Sequence, residues 1–208
     1  MSHCTTFQMT FQDKRMLFRA MRGAGLNPEN RIWESYDSGL QKRLGVGGEL
    51  IGKLLTGERN GIQLFFMETA EGLRPYVESD RHIGEELDRI GQDLLSSVQK
   101  SYLELTVEAA VRQIRQAGIA ANANMTMTND SLSYVITLGD PNKTVTVSLR
   151  NDGSVEEQVR GIEGRSCTDV SGILERAIAT PEQLTRSWNP EYNATIEDRV
   201  VQVLRLSR

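Results

Sequence analysis

Residues 144–160 read TVTVSLRNDGSVEEQVR, and this stretch decides the fold. Val145, Val147 and Leu149 alternate with Thr144, Thr146 and Ser148, the period-two pattern of a strand with one buried face. Asn151, Asp152 and Gly153 then turn the chain, because Asn and Gly tolerate left-handed backbone geometry. Val155 and Val159 carry the pattern back along a return strand. Upstream, residues 119–127 and 132–139 have strand character around the polar TNDS, and GDPNK at 139–143 makes the next turn. The spacing therefore predicts a four-stranded antiparallel meander over 119–160.

Outward from the meander the periodicity changes. Gly164 and Ser166 precede a short helix predicted over 167–178, with Val170, Ile173, Leu174 and Ala177 inward. Pro181 begins a further turn or short helix, and the tail EDRVVQVLRLSR fits either an edge strand or a final helix. On the N-terminal side, residues 80–117 carry a helical stripe through Ile83, Leu87, Ile90, Leu94 and Val98, continued by Val107, Val111 and Ile114. Gly91, or the region near Ser101, is the expected break into two helices. Earlier still come a strand over 5–11, a helix capped by Asp13, a strand in RIWESYD, a buried strand in GIQLFFME, and an edge strand or extended turn in GLRPYVESD, where Pro75 cannot donate to a ladder.

The expectation is an α+β fold: an antiparallel sheet with helices packed on one face, and a C-terminal β-meander plus short helix. Residues 1–138 form an N-terminal α/β domain with a glycine-rich insert at about 38–60. Residues 139–208 form a small hairpin-and-helix domain, continuous with the first sheet because the turn at 139–143 is short.

The 208 residues are 38% hydrophobic and 25% charged, which supports a packed core rather than disorder. A net charge of −4 argues against a nucleic-acid partner, which needs excess Lys and Arg to displace counterions. No apolar run reaches the ~18 residues of a membrane-spanning helix, and the polar opening MSHCTTFQMTFQDK lacks a secretory apolar core. Cys4 and Cys167 are far apart and form no metal-binding spacing, so a reduced, cytoplasmic protein is expected; a disulfide between them is not needed.

Gly47-Gly48-Glu49-Leu50-Ile51-Gly52-Lys53 has the glycine spacing of a phosphate-binding loop. A working loop needs Ser or Thr after the Lys to hold magnesium, and Leu54 stands there. It must also leave a buried strand and open a helix, and SGLQKRL is not a buried strand. The amphipathic alternative fits better. Leu40, Leu44, Ile51, Leu54 and Leu55 are spaced near helical turns, with Lys53 among the polar residues between them. Such a segment can contact a membrane surface, dock in a partner's groove or fold as a flap on its own core.

Trp188 and Tyr192, in SWNPEY, are candidate docking residues, as are Trp33 and Tyr36; all four serve equally well in a core. Cys167, at a helix start that would lower a thiol pKa, is the candidate reactive residue, against a small buried residue at a tight turn. His3 and His82 find no nucleophile to serve. The acidic run Glu78, Asp80, Glu85, Glu86 and Asp88 reads as a solvated helix face rather than a metal site. No catalytic residue, cofactor or metal is assigned, and a non-enzymatic role is expected.

The opening Met-Ser-His, DKRMLFRAMRGAGL and QKSYLELTVEAAVRQIRQAGI resemble a cyanobacterial, plastid and bacterial family of conserved uncharacterised proteins, over about 1–138. Cys4 stands where that family has Phe. VTVSLRNDGSVEEQVRGIEGRSCTDVSGILERAI, followed by NPEY, resembles a small domain of unknown function over about 142–193, with a hairpin, a Gly-x-x-Cys turn at Gly164–Cys167 and a helix. The two families are often encoded together, beside AAA-type ATPases, in gene sets resembling phage-defence systems. The resemblance implies a non-catalytic adaptor or effector of such an ATPase, with self-association left open. Neither family brings a catalytic residue. The alternative is a small cysteine-dependent enzyme or redox-sensitive protein using Cys167.

Overall fold

A computed structural model of the chain describes residues 3–32, 53–59, 61–69, 72–79, 81–82, 84–162, 165–178 and 185–188. The fold is α+β. Among the described residues ten strands form two antiparallel sheets, accompanied by three helices. The chain divides into two compact units, one of Met1–Met9 with Leu103–Arg208, the other of Thr10–Tyr102.

The Thr10–Tyr102 unit begins with helix α1, Lys14–Gly23. Asp13 caps it, its carboxylate accepting from the N–H groups of Arg15 and Met16 at 2.8 and 3.0 Å. Strands β2 (Glu29–Ile32), β3 (Lys53–Arg59), β4 (Ile62–Thr69) and β5 (Gly72–Ser79) follow, and lie in that order in one sheet. Alternation on β4 buries Ile62, Leu64 and Phe66. β5 is an edge strand, the first of the two readings that Pro75 left open. Phe11 sits at the centre, its ring edge-on to Phe66 at 5.1 Å and to Tyr102 at 5.0 Å. β3 falls inside the stretch expected to be a glycine-rich insert. Its Leu-Leu-Thr run, Leu54–Thr56, pairs on both sides, so ladder hydrogen bonds outweigh the cost of Gly57 within the strand.

Helix α2, Gly84–Gln116, is a single helix of 33 residues and does not break at Gly91 or Ser101 as the sequence suggested. Gly91 is there for close packing: a Cβ on it would stand 2.8 Å from Val77 Cγ2.

The other unit holds a six-stranded sheet. Strands β1 (His3–Gln8), β6 (Ala121–Met127), β7 (Ser131–Leu138), β8 (Asp140–Arg150), β9 (Ser154–Arg160) and β10 (Thr185–Trp188) lie in the order β10-β1-β9-β8-β7-β6. The four strands of the meander lie in the order the sequence predicts, but Asp140–Lys143 of the expected GDPNK turn belong to β8, leaving Gly139 at the bend and a register shift at Thr137/Leu138. At its central hairpin Gly153 adopts φ +81° and donates to the Arg150 carbonyl at 3.0 Å. Hydrogen bonds from the Ser154 hydroxyl and N–H hold the Asp152 carboxyl below the usual carboxylate range. β1 sits between β9 and β10, antiparallel to both. Helix α3, Arg165–Ile178, connects β9 to β10 and packs against β9. One face of the sheet is buried, through Leu132, Tyr134 and Ile136 on β7, Val145, Val147 and Leu149 on β8, and Val155 and Val159 on β9. The second half of α2 buries Leu103, Val107, Ala110, Val111 and Ile114 in the same unit.

Candidate functional site

The candidate contact residues fall as follows. Leu40, Leu44, Ile51 and Tyr192 lie outside the described residues, as do Trp33 and Tyr36. Lys53, Leu54 and Leu55 open β3, opposite Ile32, Arg31 and Asn30 of β2. These three are therefore in a strand, not on an amphipathic helix, and the Lys of the would-be phosphate loop starts a strand where that motif requires a helix. Trp188 ends β10, opposite His3. Cys167 is the third residue of α3, and Cys4 lies in β1, opposite Gln158 and Ser187. His82 stands before α2, with Nδ1 3.3 Å from a carboxylate oxygen of Glu86. Among the described residues no three His, Cys, Asp or Glu side chains group as metal ligands, and no helix is long and apolar enough to cross a membrane.

The site the structure does assemble was not singled out from sequence. It is an open groove of about 590 Å³ between the second half of α2 and strands β6 and β7. α2 supplies a charged rim, Glu104 and Glu108 one turn apart, then Arg112 and Arg115. Ala123, Met125 and Tyr134 line the sheet side. Arg115 closes one end, its Nε donating to the Ala121 carbonyl at 2.7 Å and its guanidinium to Asn122 Oδ1 at 2.8 Å. Burial, reinforced by the charges of Glu104 and then Glu108, pushes the Tyr134 hydroxyl up to about 12. That phenol stays protonated and can only hydrogen-bond near neutral pH.

β6 is the outer strand of the sheet and is exposed from Asn122 to Met127. Met125 and Met127 are 58% and 65% exposed, unusual for large apolar side chains. The sequence signal was present: Ala123, Met125 and Met127 alternate with Asn122, Asn124 and Thr126, in a strand with no charge to guard an edge.

A second polar feature lies under α3. Glu157, on β9 between Val155 and Val159, is fully buried, and so is Ser171 on α3; Glu175 is 4% exposed. Among its described side chains α3 buries Ser171, Leu174, Glu175 and Ile178; of the residues expected inward, Leu174 is buried, Ile173 and Ala177 are half-buried, and Val170 lies outside the described side chains. The alternation Val155-x-Glu157-x-Val159 marks Glu157 as inward-facing in the sequence itself.

No curated protein matches the chain. Residues 145–193, which run from β8 through β9 and α3 past β10, match the model of a family described as a protein of unknown function, DUF2997, in agreement with the resemblance drawn from the hairpin, the Gly-x-x-Cys turn and the helix.

Proposed function

We propose that this chain is a non-catalytic adaptor or effector that works by recognising other proteins. The carrying observation is the kind of surface it offers: an open groove with a charged rim, a methionine-lined strand and an exposed sheet edge. Methionine side chains adapt to varied apolar partners, and an exposed edge offers main-chain hydrogen bonds to an incoming strand.

The partner we propose is an AAA-type ATPase encoded nearby, in a setting of anti-phage defence; the family resemblance supports this. The ATPase would supply hydrolysis and this chain recognition. Contact with a lipid surface through residues 40–55 is a variant of the same role. The test is a tagged pull-down from the native host with the neighbouring genes intact, before and during phage challenge. Stoichiometric recovery of an AAA-type ATPase is expected; recovery of this chain alone in both conditions would overturn the pairing. Absence of flotation with anionic and neutral vesicles would remove the lipid variant.

A second reading rests on Cys167, placed in the first turn of α3, where a helix dipole favours a thiolate. It makes the chain a cysteine-dependent enzyme or redox sensor. Full biological activity in Cys167→Ala would discard it.

A further inference from the structure

We propose that the chain forms a two-fold dimer by antiparallel pairing of β6 with β6 of a second copy, centred on Asn124. This deepens the reading of the β6 face as a protein-recognition surface, and is independent of any ATPase.

Three features of the edge are self-complementary. The first is its lack of protection. Edge strands in monomers are blunted by charge, proline or shortness. Among the described residues, β5 carries Arg74, Pro75 and Glu78, β10 (Thr185–Trp188) carries Arg186, and β2 (Glu29–Ile32) carries Glu29 and Arg31. β6 runs Ala-Asn-Ala-Asn-Met-Thr-Met with no charged residue and no proline.

The second is side-chain size. A two-fold axis at Asn124 overlaps the whole strand, 121 opposite 127 and 123 opposite 125. Each Ala of one copy then meets a Met of the other: Ala121 against Met127, Ala123 against Met125. On the opposite face Asn122 meets Thr126 and Asn124 meets its own counterpart, all able to hydrogen-bond. Met125 lies opposite Tyr134, on the buried face of the sheet. The register keeps that face continuous across both copies, whereas a slip by one residue would invert it.

The third is charge. Arg115 is tied to Ala121 and Asn122 at the start of β6, while Glu104 and Glu108 lie two to three turns back along α2. Reversing the strand reverses the helix beside it. Arg112 and Arg115 of one copy come alongside Glu108 and Glu104 of the other, so opposite charges meet at both ends of the seam. The product is a continuous twelve-stranded sheet, twice the six of one copy, in which the exposed methionines are covered.

Sedimentation velocity of the purified full chain, without any ATPase, should give twice the 23.3 kDa chain mass. Asn124→Lys sets like charges face to face on the axis and should weaken association at least about ten-fold, with an unchanged far-ultraviolet circular dichroism spectrum. Glu108→Arg should weaken it too, and adding Arg112→Glu should restore it, because the reversed pair is again self-complementary. In a Cys4→Ser, Cys167→Ser background, Asn124→Cys should form a covalent dimer on mild oxidation, since directly opposed Cα atoms lie ~4.5–5.5 Å apart; Asn122→Cys, facing Thr126, should not. A monomer at every concentration, a dimer indifferent to Asn124→Lys, or equal cross-linking at both cysteine positions would overturn the proposal. Because no partner is present, a failed pull-down leaves the dimer standing, and a monomer leaves the adaptor reading standing.

Discussion

The hydroxyl of Tyr102, on α2, accepts a hydrogen bond from the backbone N–H of Asp13 at 3.0 Å, immediately before α1 begins. The N–H of Gln12 donates to the same oxygen at 3.2 Å. One phenol thus gathers two backbone donors across 89 residues of chain, while its ring packs edge-on against Phe11. Tyr102→Phe keeps the ring contact and removes the acceptor. Equilibrium urea unfolding should show a loss of about 1–2 kcal/mol, the cost of leaving partly buried amides unmet. No loss would mean that water replaces the hydroxyl.

The same burial has a consequence at high pH. It pushes the Tyr102 hydroxyl up to about 12, against the lowering effect of the Asp13 and Gln12 amides. The folded pKa lies above the unfolded value near 10. The protonated phenol therefore stabilises the fold fully below about pH 10, and that contribution is lost as pH rises through about 12. An ultraviolet phenolate titration should show Tyr102 and Tyr134 ionising late, each late step vanishing in its own Phe variant. Ionisation of all five tyrosines together near the free value would contradict this.

Gly91 is a helix glycine where alanine would ordinarily gain about 1 kcal/mol. With Val77 Cγ2 at 2.8 Å from the new Cβ, and a β-branched side chain that cannot swing away, Gly91→Ala should instead destabilise. In a Val77→Ala background the same substitution should stabilise. A double-mutant cycle by thermal unfolding reads the sign change; additive effects would refute it.

Gly161 follows β9 at φ +69°, and a Cβ there would overlap the Asn142 carbonyl oxygen. Gly161→Ala must pay for left-handed geometry and move backbone as well, so a loss above about 2 kcal/mol is expected in chemical denaturation.

The meander, the edge position of β5, the Asp13 cap and the helix after Cys167 were legible because each rests on local chemistry: alternation, a ring without N–H, a capping carboxylate, and glycine turns. β3 was not, because Gly57 and the neighbouring glycines hide a strand whose stability comes from partners on either side. The continuity of α2 was also hidden, since the role of Gly91 depends on Val77, in another element. Leu54 and Leu55 stand in a strand rather than at the helical spacing read from sequence, and β6 was passed over because its outermost place is a property of strand order that no local pattern encodes.

Strand order also dictates when parts of the molecule can form. β1 is synthesised first, yet both of its neighbours, β9 and β10, come from the far end of the chain. At ~5–20 residues per second, the nascent strand waits on the order of ten seconds or more for β9 to leave the ribosome. Meanwhile every pairing of the sheet β2-β3-β4-β5 is already available. β9 and β10 flank β1 in the finished sheet, so the family-matched segment 145–193 depends on a strand from outside it for that pairing. The two sheets therefore differ in how they can be completed during synthesis: one closes from neighbouring segments, the other only when segments more than 140 residues apart in the chain have both emerged.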